Sequence, residues 1–125
     1  MAPPFDKLLV LDLDETLVYA CESRLDLPLD GQVGPYFLYL RPGARAFLDW
    51  ARVAFSEVAV WTASTQSYAI PLVEQLLGGC EGLAFVWCRK RCTRIYDPET
   101  RERSWIKDLK KLRRRGYARE RILVV

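Results

Sequence analysis

The 125-residue chain has no histidine, and its four cysteines, Cys21, Cys80, Cys88 and Cys92, are scattered. A structural zinc would have to be built from thiolates alone, and only Cys88 and Cys92 stand close together, so the pattern argues against zinc and for reduced thiols, some of them buried. No apolar stretch approaches the roughly 20 residues of a membrane span. The first six residues lack the basic start and apolar centre of a signal peptide. The expectation is a cytoplasmic or nuclear protein that does not engage a membrane. Internal repeats and low-complexity linkers are also missing, while half the residues are apolar and 28% are charged, which excludes a disordered chain. A single domain, residues 1–125, is expected, large enough to bury about two-thirds of its unfolded surface.

What is present is organised around Lys7–Val18, KLLVLDLDETLV. Leu8, Leu9, Val10 and Leu11 form the unbroken apolar run of a strand buried on both faces of a parallel sheet. Asp12, Asp14 and Glu15 follow with no base among them, at the C-terminal strand end where α/β sheets carry their sites. Two carboxylates about 5 Å apart repel by roughly 3 kcal/mol at an effective dielectric near 20, so Asp12 and Asp14 require a bridging divalent cation or a shared proton. Both solutions suit phosphoryl transfer to a carboxylate. In that scheme Asp12 would attack phosphorus, while Asp14 would protonate the leaving oxygen and later deprotonate the hydrolytic water. Asp and Glu also favour helix N-termini, a bland role that a bare D-x-D would usually fill.

Further along, Tyr19–Gly34 reads as turns between short extended pieces and Tyr36–Leu40 as a strand, together a flap over the site too short for a separate cap domain. Arg41-Pro42-Gly43 opens a helix through about Val53 with Ala46, Phe47 and Trp50 facing the core. Glu57–Trp61 is a second buried strand, ending in the hydroxyl cluster Thr62, Ala63, Ser64, Thr65. The Thr62 hydroxyl and the amide of Ala63 can hold phosphate oxygens. Tyr68–Pro71 reads as a turn, Pro71–Leu77 as a helix stopped by Gly78 and Gly79, and Leu83–Trp87 as a third strand. Cys88–Ser104 reads as a hairpin around Asp97-Pro98-Glu99-Thr100, Trp105–Arg115 as a helix closed by Gly116, and Arg121–Val125 as the last strand. Strands alternating with helices predict a three-layer α/β sandwich on a mostly parallel, Rossmann-like sheet.

DLDETLV, VWTAS and WIKDL, in that order, resemble the motifs of the haloacid-dehalogenase-like phosphatases, in particular the small RNA polymerase II C-terminal-domain phosphatase or NLI-interacting-factor-like branch. The resemblance runs from about Phe5 to Val125. It implies a magnesium-dependent phosphatase that works through an aspartyl-phosphate, acting on phosphoserine or phosphothreonine in proteins. Lys107, otherwise one more surface lysine, becomes the cation that neutralises Asp12 and the transferring phosphoryl group. The resemblance departs at the end, where relatives follow the last strand with acids that help hold magnesium. Asp12 and the Asp14 carbonyl are left as metal ligands, and a fragment of a longer protein, or a gene product cut short, is expected, lacking that acidic motif and the strand beyond it. The alternative is a non-catalytic peptide-binding module of the same fold.

The gaps of about 43 residues between Asp14 and Glu57 and about 45 between Thr62 and Lys107 hold no full lid, so a peptide segment can enter. The hairpin, with Tyr96 and Trp105, is the candidate for substrate selection. The expected partner is a phosphorylated protein or peptide and the expected state a monomer. Residues 1–87 carry 5 Lys/Arg against 11 Asp/Glu (5 − 11 = −6), and 88–125 carry 14 against 5 (14 − 5 = +9). The basic half can steer acidic partners toward the site. It has no aromatic interleaving, so nucleic acid is not expected.

Overall fold

The apolar run of the opening motif becomes a central strand. In the computed structural model, which describes residues 2–125, β1 (Phe5–Leu11) pairs in parallel with β5 (Phe55–Trp61) on one side and β9 (Ile122–Val124) on the other. β6 (Val86–Trp87) extends the sheet beyond β5, giving the order β6-β5-β1-β9. Successive side chains of β1 leave on opposite faces. Leu9 and Leu11 join one buried cluster and Leu8 and Val10 the other.

The first face is covered by α1 (Ala44–Ala54) and α2 (Gln66–Leu76). The second is covered more thinly, by the five-residue α3 (Lys110–Arg114), whose Leu112 is fully buried against Trp61, Phe85 and Trp87. The predicted three-layer α/β sandwich with a parallel sheet is therefore present, with unequal outer layers.

The flap is a separate antiparallel sheet in the order β2-β4-β3, made of β2 (Val18–Cys21), β3 (Gly31–Val33) and β4 (Tyr36–Leu40). It is tied to α2 by the Gln75 carboxamide, which accepts from the Gln32 amide at 3.1 Å and donates to its carbonyl at 3.0 Å. The expected hairpin is β7 (Thr93–Asp97) and β8 (Glu102–Ile106), almost wholly exposed on both strands.

Several boundaries differ from the sequence reading. The helix α1 begins at Ala44, after Gly43 in the left-handed region (φ 82°), so Pro42 lies outside it. Its buried stripe is Ala44, Leu48, Ala51 and Ala54, whereas Ala46 is exposed, Phe47 is half-buried and Trp50 is 51% exposed. Both stripes have helical spacing, and the one rich in alanine lets the helix approach the sheet closely. Trp50 instead packs edge-on in a surface cluster with Phe5 and Phe55 and lies beside Phe47.

The helix α2 starts five residues before the expected Pro71 and contains it, so Tyr68–Pro71 is helix rather than turn. Burial of Ala69, Leu72, Val73 and Leu76 offsets the amide hydrogen bond that Pro71 cannot make. Gly78, at φ 80°, ends this segment where a Cβ would stand 2.8 Å from the Arg45 guanidinium. The third strand is only two residues long, although the Ala84 amide and Phe85 carbonyl continue its pairing to Val58 and Val60. Trp105 lies in β8, paired with Arg94, and not in a helix. Cross-strand pairing claims Trp105 and Ile106 before the short α3 can begin.

Candidate active site

Beyond Leu11 the chain does not run straight into a helix. The amides of Leu17 and Val18 both donate to the Leu13 carbonyl, the Glu15 amide donates to Val18, and Glu15 takes a positive φ of 62°. Buried Leu13 anchors this tight loop while Asp12 and Asp14 are displayed at the sheet edge. A non-glycine residue in the left-handed region is uncommon and marks a loop held by its surroundings.

Neither carboxylate is left alone, as their mutual repulsion requires. Lys107 donates its ammonium to Asp12 Oδ1 at 2.9 Å, and the Thr16 hydroxyl approaches Oδ2 at 3.3 Å. Asp14 accepts from Ser64 Oγ at 2.6 Å on Oδ2 and from the Tyr68 phenol at 2.7 Å on Oδ1. Burial, the hydrogen bond to Asp14 and that carboxylate's charge push the Tyr68 phenol well above its ordinary pKa, so it stays a neutral donor. Hydroxyls both donate and accept, so Ser64 and Tyr68 satisfy Asp14 whether it is ionised or protonated.

Thr62, 1% exposed, closes β5 with its amide on the Trp87 carbonyl, and its Oγ1 accepts from the Ser64 amide at 3.1 Å. The hydroxyl proton is then free to point outward. The amides of Leu13, Asp14 and Ala63 have no acceptor among the described residues. With the Thr62 hydroxyl and the Lys107 ammonium they are the donors on offer to an oxyanion at this edge.

Arg89, in the 3-10 turn Arg89–Arg91, pins the second motif from outside, its Nε on the Ala63 carbonyl at 2.8 Å and its amide on the Ser64 carbonyl at 2.9 Å. A recess of about 440 Å³ beside Asp14 is lined by Glu15, Tyr36, Ser64, Thr65, Tyr68 and Arg89, so the flap supplies one of its walls. A slightly larger recess, about 480 Å³, lies between the flap and Pro42 and includes neither Asp12 nor Asp14.

The structure joins Lys107 to Asp12 across 95 positions of sequence, and places Thr62 and Ala63 on the strand neighbouring that of Asp12. Lys107 sits in the link after β8, not in a helix as the sequence suggested. Two partners of Asp14 were missed. Ser64 was visible only as one of a run of hydroxyls, and Tyr68 became a site residue only because α2 starts at Gln66 and presents its first turn to the loop. Arg89 had no signal beyond its charge.

An acidic strand end, a hydroxyl strand end and a lysine from a third element meet at one edge of a parallel sheet that has the haloacid-dehalogenase-like fold. The chain belongs to the NLI interacting factor-like phosphatase family, whose model matches residues 7–125. Phosphatase PSR1 of Saccharomyces cerevisiae is 37% identical over 89 residues, covering 61% of this chain and 21% of the relative. The fission yeast RNA polymerase II CTD phosphatase Fcp1, solved as a variant bound to beryllium fluoride, shares the fold with a TM-score of 0.68 at 17% identity, covering 95% of this chain and 36% of that one. This chain thus spans a fifth to a third of the length of these two relatives.

Proposed function

We propose that this phosphatase domain hydrolyses phosphoserine or phosphothreonine in proteins, with Asp12 as nucleophile and an aspartyl-phosphate as intermediate. The observation that carries the reading is the Lys107 ammonium on Asp12, with Asp14 held by two reversible hydroxyl partners beside it. Lys107 orients Asp12 for attack and offsets the charge gathering on the phosphoryl oxygens. The Thr62 hydroxyl and the Ala63 amide orient those oxygens. Asp14 delivers its proton to the departing seryl or threonyl oxygen. It then takes one from the water that attacks the aspartyl-phosphate.

The donor set fits magnesium. Asp12 Oδ2 carries only one long contact, and the Asp14 carbonyl accepts no backbone hydrogen bond among the described residues. Magnesium commonly takes one or two protein oxygens and completes its shell with water and phosphate. When bound there it shields the attacking carboxylate from the phosphate's negative charge.

The alternative is a non-catalytic peptide binder of the same fold. Hydrolysis of p-nitrophenyl phosphate with and without magnesium separates the two. The phosphatase reading expects magnesium-dependent turnover that vanishes in Asp12→Asn. Turnover persisting in that variant overturns the assignment of the nucleophile, and no turnover in the parent favours the binder.

A further inference from the structure

The sheet face opposite α1 and α2 carries a recess of about 420 Å³ lined by Trp87, Lys90, Arg91, Lys111, Arg114 and Arg115. Five of these six side chains are cations and none is an acid. The Arg91 guanidinium lies over the Trp87 ring at 5.1 Å, and that of Arg115 stands 5.6 Å from the centroids of both Trp87 and Phe85. Lys111 donates its ammonium to the Arg91 carbonyl at 2.8 Å. Three of the cations are therefore positioned by aromatic faces and a backbone oxygen. Among the described residues the ion pairs are Arg45–Asp49, Lys107–Asp12 and Arg121–Asp6, so none of the five has a carboxylate partner. A solvated basic helix face would spread its charges outward. Here α3 and the 3-10 turn instead converge on one aromatic floor, and an anion seated there relieves their mutual repulsion.

Short stretches of chain connect the recess to the candidate active site. Arg89 holds Ala63 at one end of the 3-10 turn and Arg91 lines the recess at the other, while Lys111 follows Lys107 by four residues. We propose that the recess is a second anion site. It takes a carboxylate or phosphate group of the same peptide whose phosphorylated residue enters the candidate active site. Preferred substrates then carry acidic or further phosphorylated residues a few positions from the one hydrolysed. The inference rests on the phosphatase reading for its substrate and on the recess alone for its binding chemistry. The three guanidiniums suit either oxyanion, because each presents paired donors in a fixed plane.

Two measurements test this. In the first, fluorescence anisotropy follows binding of a labelled Glu-rich peptide, and of its counterpart with two phosphoserines, to the Asp12→Asn chain. Adding Lys90→Gln, Arg114→Gln and Arg115→Gln is expected to weaken both peptides by about tenfold and to flatten the salt dependence, whereas Arg114→Lys with Arg115→Lys, which keeps the charge but not the paired donors, is expected to keep the salt dependence and only part of the affinity. Loss of the doubly phosphorylated peptide alone would identify phosphate as the group taken. In the second, the same three substitutions in the active chain are expected to raise KM about tenfold for a phosphopeptide flanked by acids, leaving kcat and p-nitrophenyl phosphate hydrolysis unchanged. If the parent hydrolyses nothing, the phosphatase reading fails while the anisotropy still reports on the recess. Equal affinity of parent and triple variant overturns the proposal. So does a DNA duplex bound more tightly than either peptide through the same three residues, which would make the recess a nucleic-acid surface.

Discussion

Replacing Lys107 by alanine removes the one cation among the described residues that touches Asp12. At the observed 2.9 Å, two unit charges attract by about 6 kcal/mol at an effective dielectric of 20, an upper bound. The two side chains are 24% and 34% exposed, so water screens part of this in the resting protein, and a charged hydrogen bond of this kind contributes about 1.5–3 kcal/mol. The balance changes when phosphate arrives. A phosphoryl group covers Asp12, displaces water and adds negative charge beside the ammonium, so the same contact strengthens toward the transition state. Losing one donor to developing negative charge typically costs ~10²–10³ in kcat, or about 2.7–4 kcal/mol. Lys107→Ala is therefore expected to lower kcat for p-nitrophenyl phosphate by two to three orders of magnitude at saturating magnesium, and to move the melting temperature little. Lys107→Arg should recover part of the loss, since it restores charge with a different donor geometry. A Lys107→Ala enzyme with kcat within about threefold of the parent would refute the reasoning.

Tyr68→Phe leaves Asp14 with Ser64 as its one hydroxyl partner, and a loss of about tenfold in kcat/KM with a displaced pH profile is expected from steady-state kinetics. The phenol's pKa is raised on folding above its ordinary 10.0, so its contribution to stability is complete below pH 10 and is lost as the pH climbs toward the folded-state value. Urea denaturation above pH 10 should accordingly show a shallower decline for Tyr68→Phe than for the parent. Spectrophotometric titration should find Tyr117, pushed up to about 12 chiefly by burial and next by the neighbouring Glu57 carboxylate, ionising late, and Tyr68 likewise ionising above the ordinary tyrosine range. Leu112→Ala empties the one buried position of α3 and should cost about 2–5 kcal/mol in urea denaturation, with loss of the anion recess that α3 helps to line.

Motif order and hydrophobic pattern alone were enough for the parallel sheet, the flap, the hairpin and the opening strand with its acidic end. Each depends on local rules: an apolar run that must be buried, an acidic end that cannot be, a turn segment between polar strands. Asp12 and Thr62 were legible because strand ends place them. Helix boundaries were less so, since two stripes of α1 have the same spacing and only contact with the sheet selects Ala44, Leu48 and Ala51 over Ala46, Phe47 and Trp50.

Tertiary structure alone decided which neighbours the carboxylates have. The Ser64 and Tyr68 hydroxyls reach Asp14 across 50 and 54 positions, and the recess around Trp87 joins a 3-10 turn to a helix some twenty residues later. No local propensity encodes such meetings. They arise because burying both faces of one sheet brings the loops at its C-terminal edge together, and the distances between charges there follow from that packing.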